Sequence, residues 1–416
     1  MLISFSVENY KSFLEDNVLT MEASAIDEFQ DLNTFDVSKY RLLKSSFIFG
    51  PNSSGKSNFL DAFYNMRLSV LKSFSSEDFF SKSNEKVFKL NVLGEKKPTT
   101  FKIEFLIEYT RYYYEFSILD GKVVKELLSK DIKREVIIFE RKSSDAKNNI
   151  YISSSYRKMS NSMKYVRPNA LIISTLSYLN DDLSNKITNW FKNIDFINSE
   201  NINISDSIYE ERINNYINQI KLADHTIDKF RVEEVDIDPK TLEKLQLIQK
   251  ITEIDIPSKV PDLKYIAKKY NEEHELIGNI ELDFDQMSSS GTQNFANLIV
   301  PIMDALETGS IIVIDELESM LHVSLVKYIF GLFNSIDLNK SNAQLITTTH
   351  DVFVLNENIR RDQINFVEKN IYGESSLYSL VDFKSVTKSD NLLRKYLLGF
   401  YGAVPNLGDL IDAKVR

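Results

Sequence analysis

The chain has 416 residues, of which 43% are hydrophobic, and this fits about two or three domains or one large α/β domain with an insertion. The absence of cysteine excludes disulfide bonds, thiolate catalysis and cysteine-ligated metal centres. The net charge of −10 argues against a surface that is basic overall, although a local basic groove for nucleic acid stays open. Residues 1–13 lack the apolar region of a signal peptide and no run of about 18 apolar residues follows, so we predict a cytoplasmic protein without a membrane partner.

Residues 50–57 read GPNSSGKS and match the pattern G-x-x-x-x-G-K-[ST] of a phosphate-binding loop, the P-loop. An apolar run precedes them and apolar residues at helical spacing follow, which predicts a strand, a glycine turn and a helix N-terminus suited to anions. In this pattern Lys56 reaches the terminal phosphates and the Ser57 hydroxyl binds Mg²⁺. An ordinary glycine turn is the alternative. The residues predicted to bind ATP or GTP here are Gly50, Pro51, Asn52, Ser53, Ser54, Gly55, Lys56, Ser57 and Asn58.

The predicted secondary structure of the middle of the chain changes from strands to helices. Residues 85–155 alternate apolar and polar residues and contain the hairpin signal Asp120-Gly121, so we predict an antiparallel sheet that flanks the nucleotide. Residues 176–276 predict short helices, and no heptad pattern is sustained, which argues against a long coiled-coil arm. We expect a compact helical lobe there, which would be a candidate surface for a partner protein.

Residues 285–306 predict a second helix N-terminus that is suited to an anion. Ser288, Ser289 and Ser290 are good capping residues, and Gly291 permits close approach of a backbone. The apolar residues that follow have helical spacing. A capped structural helix without a ligand is the alternative.

Two further apolar strands are predicted to end in functional side chains. Residues 311–314 suit a buried parallel strand, and Asp315 and Glu316 would stand at its carboxyl end. We predict that Asp315 binds Mg²⁺ through water and that Glu316 is the general base for the attacking water. His350 follows the second strand and would bond the γ-phosphate. A helix N-terminus rich in acids and a strand-end histidine with a backbone partner are the structural alternatives.

In this order the motifs resemble those of ABC-type ATPase heads of the SMC, RecF and OLD kind. The matching pieces are NYKSF at residues 9–13, GPNSSGKS, SSSGTQ, IIVIDELESMLH and TTTHD. The resemblance implies an α/β P-loop NTPase fold with a mostly parallel core sheet, to which the residue patterns above add a flanking antiparallel β-sheet and an inserted helical lobe. It also implies that ATP is sandwiched in a homodimer, in which Ser289, Gly291 and Thr292 of one copy act in trans.

The sequence patterns and the resemblance of the two ends together predict three parts. Residues 1–155 are predicted to form the N-terminal part of the ATPase head with the P-loop and the antiparallel sheet. Residues 156–278 would be a mainly helical insertion, and residues 279–416 would complete the head with the signature, the acidic strand and the switch histidine, His350.

The tail, residues 360–386 and 393–407, looks like that of RloA- and AbiL-type ATPases, which are AAA-family proteins of bacterial anti-phage and abortive-infection operons. That resemblance implies a separately encoded effector. The tail departs from the pattern at Asn365, where an aromatic residue is usual, and at Phe400, where an arginine is usual. A phosphate-contacting role for that arginine is therefore not carried over.

These observations predict an ATPase that switches an effector in anti-phage defence. The alternative is a RecF- or SMC-like DNA-binding ATPase in repair or maintenance, which would need a basic face and a salt-sensitive affinity. A transporter subunit is disfavoured by the large insertion. An intrinsic nuclease would use carboxylates such as Asp351, Asp362 and Glu368, but the 66 residues that follow His350 are too few for an additional domain of ordinary size.

Overall fold

The computed structural model describes residues 1–131, 134–144, 147–197, 207–237, 259–318, 321–387 and 390–405. The chain divides into two compact units. The first unit comprises Met1–Phe196, Ala305–Leu317 and Phe330–Arg416, and the second comprises Ile197–Asp304 and Glu318–Ile329. The proposed boundaries at residues 155 and 278 stay a prediction.

The first part of the first unit contains the P-loop, the helix that follows it and one further short helix. Its elements are β1 (Leu2–Glu8), β2 (Asn17–Thr20), α1 (Gln30–Asn33), β3 (Thr34–Val37), β4 (Tyr40–Leu43), β5 (Ser45–Phe49), α2 (Lys56–Lys72) and α3 (Val92–Lys96). All five residues of β5 are buried, as expected for a central strand. The apolar face of α2 packs on β1, where the rings of Phe5 and Phe63 stack with centroids 4.6 Å apart.

A seven-stranded antiparallel sheet follows in the chain and confirms the predicted flanking sheet. Its further strands and the helices after them are β6 (Thr99–Ile107), β7 (Thr110–Leu119), β8 (Lys122–Asp131), β9 (Glu135–Ser144), β10 (Lys147–Ile152), a 3₁₀ helix (Ser154–Tyr165), α4 (Ile172–Tyr178) and α5 (Asp182–Lys192). The strand order is β10-β9-β8-β7-β6-β1-β2. The hairpin at Asp120-Gly121 joins β7 to β8, and both residues have positive φ.

The second unit holds both helices and strands. After β11 (Ile194–Ile197), which begins in the first unit, its elements are α6 (Ser207–Asn215), α7 (Ile217–Ile220), β12 (Ile227–Asp236), β13 (Lys259–Tyr270), β14 (Leu276–Asp283), α8 (Phe284–Met287) and α9 (Ser290–Thr308). The strands pair antiparallel in the order β12-β13-β14.

These three strands correct the prediction for the insertion. The predicted helices at residues 183–194 and 207–223 are confirmed in α5, α6 and α7. The prediction that residues 156–278 are mainly helical is wrong where β12, β13 and β14 lie, because pairing between these strands supplies backbone hydrogen bonds that no local pattern reveals. The predicted helix at residues 239–252 lies outside the described residues.

The core sheet is completed by the C-terminal part of the chain. Its elements are β15 (Ile311–Ile314), α10 (Val323–Asn334), β16 (Gln344–Thr349), two 3₁₀ helices (Val352–Asn356 and Arg361–Gln363), β17 (Ile364–Lys369), β18 (Ser375–Ser379), a third 3₁₀ helix (Leu380–Asp382) and α11 (Leu392–Leu397). Within the described residues, no helix is both long and apolar enough to cross a membrane.

The strand order of this sheet, β11-β15-β16-β5-β17-β18, positions the candidate site. β15 pairs parallel with β16, and β5 pairs parallel with both β16 and β17, while β18 is antiparallel. Because the carboxyl ends of parallel strands meet at one edge, the loops after β5, β15 and β16 come together. The mostly parallel core sheet and the flanking antiparallel sheet confirm the predicted α/β class.

Candidate nucleotide-binding site

The P-loop, residues 50–57, follows β5 and ends in the first turn of α2, as predicted. Gly55 has a φ of 120°, and a Cβ atom there would lie 2.5 Å from Ser375 Oγ and 2.8 Å from Ser12 Oγ. A Cβ atom on Gly50 would lie 2.3 Å from the carbonyl oxygen of Val367. Only glycine fits these two positions without a shift of the loop. The amides of the first turn of α2 have no partners within the helix, so they are available to an anion.

Lys56 is the first residue of α2, and its side chain bends back over the loop. Its Nζ donates to the carbonyl oxygens of Gly50 at 2.8 Å and Pro51 at 3.2 Å. It also lies 3.0 Å from Nε2 of His350. The ammonium group donates in this contact when Nε2 carries a lone pair, so the contact depends on the tautomer of the imidazole.

The ends of β15 and β16 bring the acidic pair and the histidine to the same edge. Oε1 of Glu316 lies 3.7 Å from Nε2 of His350, and both side chains are partly exposed to solvent. Oδ1 of Asp315 accepts a short hydrogen bond from the Thr348 hydroxyl. The backbone N–H of Glu316 donates to the same hydroxyl at 2.8 Å.

A polar pocket of about 430 Å³ joins these side chains. Its lining residues are Asn52, Ser53, Gly55, Lys56, Ser57, Asn58, Glu316, His350 and Lys369. The structure therefore brings Lys56, Glu316 and His350 together in one cavity. The predicted metal ligand Asp315 is not among the residues that line the pocket, and its carboxylate accepts from the Thr348 hydroxyl.

Lys369, at the end of β17, lines the pocket although the sequence did not single it out. Ser375 was also missed, and Ser12 was noted only as part of the NYKSF motif at residues 9–13. Ser375 Oγ donates to the carbonyl oxygen of Ser54, and its N–H donates to that of Ser12. Ser12 Oγ accepts from Asn58 at 2.9 Å. Lys369 is on β17, beside β5, and Ser375 is on β18, beside β17, so the strand order is needed to show that they are near the loop.

The residues present fit a magnesium triphosphate. The pocket combines loop amides, the Lys56 ammonium and the Ser57 hydroxyl, and the backbone at Gly55 has no room for a side chain. No group of three or more metal-ligating His, Asp or Glu side chains exists among the residues that the structure describes. A P-loop does not need one, since Mg²⁺ there keeps waters and phosphate oxygens as ligands beside one or two protein oxygens.

The signature residues belong to the second unit. Oγ of Ser289 accepts from the N–H of Thr292 at 3.1 Å, so Ser289 caps α9. Oγ1 of Thr292 lies 2.9 Å from the same Oγ. Gly291 lies between them in the first turn of α9. The capped helix is thus present, and the action of Ser289, Gly291 and Thr292 on a nucleotide in trans stays a prediction.

Each carboxylate considered for nuclease activity forms hydrogen bonds with another partner. Oδ1 of Asp351 caps a 3₁₀ helix through the N–H of Phe353. Asp362 is buried and forms two hydrogen bonds with the buried guanidinium of Arg360. Oε2 of Glu368 accepts from the Tyr378 hydroxyl. They do not form a cluster that binds a metal in the described part of the chain.

Comparison with known proteins places this site in a family. The family model described as "AAA domain, putative AbiEii toxin, Type IV TA system" matches residues 45–356, which is three quarters of the chain. The chain belongs to this AAA domain family. The matched range includes the P-loop, the signature, the acidic pair and His350 of the AAA domain.

Two further comparisons give less information about the family and function of the chain. No protein of curated function matches the chain. Among solved structures, this chain is similar to the SMC head domain from Thermotoga maritima. The sequence identity is 12%, and the match covers 91% of this chain and 98% of that chain. The TM-score is 0.39, and the fold assignment therefore rests on the sheet order and the family match. The closer resemblance to RloA- and AbiL-type proteins stays a prediction.

Proposed function

We propose that this AAA domain protein is a cytoplasmic ATPase that hydrolyses ATP to ADP and phosphate with Glu316 as the general base. The observation that carries the proposal is the pocket in which Lys56, Glu316 and His350 meet at the ends of three neighbouring strands. These are the residue types that phosphoryl transfer to water needs: a cation for the terminal phosphates, a carboxylate for the water and a hydrogen-bonding group for the γ-phosphate.

Different groups of the chain have separate roles in this reaction. The loop amides and Lys56 bind the phosphates, so the Lys56 ammonium must leave its contact with His350 when ATP enters. The hydroxyl of Ser57 and the carboxylate of Asp315 would hold Mg²⁺, which neutralises charge on the β- and γ-phosphate oxygens when bound. The Glu316 carboxylate faces the pocket and accepts the proton of the attacking water. His350, once released by Lys56, donates to the γ-phosphate.

We further propose that two copies close on two ATP molecules and that the closed state activates a separately encoded effector in a bacterial anti-phage system. The capped α9 supports the first part, because Ser289 and Ser290 at its N-terminus are exposed and accessible to a second copy. The family description supports the second part, because it names a putative AbiEii toxin and a Type IV TA system. ATP-dependent closure supplies the differential affinity that a switch needs.

The substitution Glu316→Gln tests the hydrolysis step. The amide keeps the size of the side chain but cannot accept the proton of water, so we expect turnover to fall by about 100-fold or more while ATP affinity stays within about twofold. Phosphate release and binding of a fluorescent ATP analogue measure the two effects. The dimer fraction with ATP, measured by light scattering, should rise.

A matched control is Asp337→Asn, which removes the same charge from an exposed loop. This variant should hydrolyse ATP at the wild-type rate. An unchanged rate in Glu316→Gln would refute Glu316 as the base, and a wild-type protein without ATPase activity under any magnesium condition would refute the proposed function itself.

A further inference from the structure

The hydroxyl of Thr348 lies between the two acidic residues of the site. Thr348 is fully buried on β16, and the last parallel pair with β15 joins Ile314 to Thr347. One residue further along, Thr348 therefore stands beside Asp315 as the two strands reach the edge of the sheet. At this edge the Thr348 side chain forms hydrogen bonds with both acidic residues.

The Thr348 hydroxyl makes two hydrogen bonds of opposite sense. It donates to Oδ1 of Asp315 and accepts from the backbone N–H of Glu316. A hydroxyl has a single proton to donate and lone pairs to accept with, so these two bonds fix its orientation. The hydroxyl thus ties the carboxylate of one acid to the backbone of the next.

The backbone of Glu316 explains why such a tie is needed. Glu316 has a φ of 53°, in the left-handed region that residues with a Cβ atom seldom adopt. Strained conformations of this kind persist when the surroundings hold them, and they are concentrated at functional sites. The left-handed turn directs the Glu316 side chain into the pocket beside His350. The bond to Thr348 helps to hold the peptide between Asp315 and Glu316 in this orientation.

We propose that Thr348 is a positioning residue for hydrolysis. It orients the Asp315 carboxylate toward the magnesium ion and holds the Glu316 backbone so that its carboxylate faces the attacking water. The inference rests on the proposed ATPase function and deepens it. Thr348 itself does not line the pocket, so it acts through the two acids and not on the nucleotide.

The substitution Thr348→Val tests this role. Valine keeps the branched shape that β16 buries but removes the hydroxyl, which leaves the Glu316 N–H and Oδ1 of Asp315 without this partner. We expect kcat to fall by about 10- to 100-fold with little change in KM, because the missing bonds act on the reacting geometry and not on phosphate binding. Thr348→Ser restores the hydroxyl and should recover activity to within about threefold of wild type.

A second measurement does not depend on turnover. The non-hydrolysable analogue AMP-PNP should stabilise the wild-type protein against heat more strongly with Mg²⁺ than without it, because Asp315 contributes to the metal. In Thr348→Val the additional stabilisation by Mg²⁺ should shrink, and more Mg²⁺ should be needed for half of it. The stabilisation by AMP-PNP without Mg²⁺ should not change, because the P-loop is intact.

The control is Thr347→Val, on the same buried strand. Its hydroxyl donates to the carbonyl oxygen of Thr348 and has no described contact with Asp315 or Glu316, so this variant should match wild type in both measurements. Wild-type kcat and Mg²⁺ response in Thr348→Val would overturn the inference while leaving the ATPase proposal in place. Equal losses in Thr348→Val and Thr348→Ser would also overturn it, because the effect would then follow packing and not the hydroxyl.

Discussion

At the scale of single residues, the P-loop depends on partners that lie far away in the chain. Gly55 fits only because its missing side chain leaves room for the hydroxyls of Ser12 and Ser375. Ser375 in turn bonds the carbonyl oxygen of Ser54 and so fixes the loop from β18. The loop is therefore shaped by its neighbours as well as by its own glycines.

Gly55→Ala should disrupt this arrangement. The added Cβ atom would meet Ser375 Oγ at 2.5 Å, and the φ of 120° is unfavourable for alanine. We expect ATP affinity to fall by about tenfold or more, together with a lower melting temperature, because the loop must shift. Gly331→Ala is the control, since nothing lies within 4 Å of its Cβ position in α10. That variant should be more stable by about 0.5–1 kcal/mol. Equal behaviour of the two variants in binding and thermal melts would contradict the steric argument.

At the scale of elements, a buried ion pair joins the antiparallel sheet to the helix α4. Glu126 on β8 and Arg141 on β9 are both fully buried, with Nη1 and Oε2 3.7 Å apart. Glu126 also accepts the N–H groups of Ile172 and Ile173 at the start of α4. Burial raises the pKa of Glu126 above its ordinary value, and the Arg141 charge opposes that rise.

Arg141→Met should therefore destabilise the protein by about 3–5 kcal/mol, because it leaves the Glu126 charge buried without its partner. The loss should be larger at pH 8 than at pH 5. Without the cation, the pKa of Glu126 in the folded protein rises further above its unfolded value, and stability is lost as the pH rises between those two values. Urea unfolding at both pH values measures the effect.

Lys186→Met provides a comparison for this prediction. Lys186 pairs with Glu108 at 3.0 Å, but both side chains are largely exposed. Its loss should change the free energy of unfolding by less than about 1 kcal/mol and with little dependence on pH over this range. A similar small change in Arg141→Met would show that the buried pair does not hold α4 on the sheet.

At the scale of the whole molecule, the proposed switch requires two copies. The site described in the first unit supplies the P-loop, the acids and His350, while the signature residues are in the second unit. The proposal is that each nucleotide receives the signature from the other copy. A DNA-binding ATPase of the RecF kind is the alternative, and it predicts an ATP-dependent affinity for duplex DNA that falls steeply with salt.

Mixing two inactive variants tests the composite site. Lys56→Ala should abolish ATP binding, and Ser289→Arg should block the signature, so each protein alone should be inactive. In an equal mixture, half of the dimers combine the two variants and contain one intact site, so we expect up to about a quarter of the wild-type ATPase rate.

The control for mixing is Lys56→Ala combined with a protein that carries both substitutions, since no intact site can form in any of those dimers. Recovery in the first mixture and not in the second supports action in trans. An active Ser289→Arg protein, or no recovery in either mixture, counts against the shared site.

The sequence by itself determined the parts of the site that depend on local chemistry. GPNSSGKS, the acidic pair after residues 311–314 and the histidine after β16 were identified because glycine turns, buried strands and strand-end polar residues are encoded by neighbouring residues. The antiparallel flanking sheet was predicted for the same reason, from its alternating pattern and its hairpin at Asp120-Gly121.

Only the tertiary structure decided which distant residues complete the site. Thr348, Ser375 and Lys369 reach the acids, the loop and the pocket because β16 and β17 lie on either side of β5 and β18 pairs with β17. The strands β12, β13 and β14 likewise form through pairing with one another. Strand order depends on the packing and backbone pairing of the whole sheet, and that information is distributed over the entire chain and not carried by any single segment.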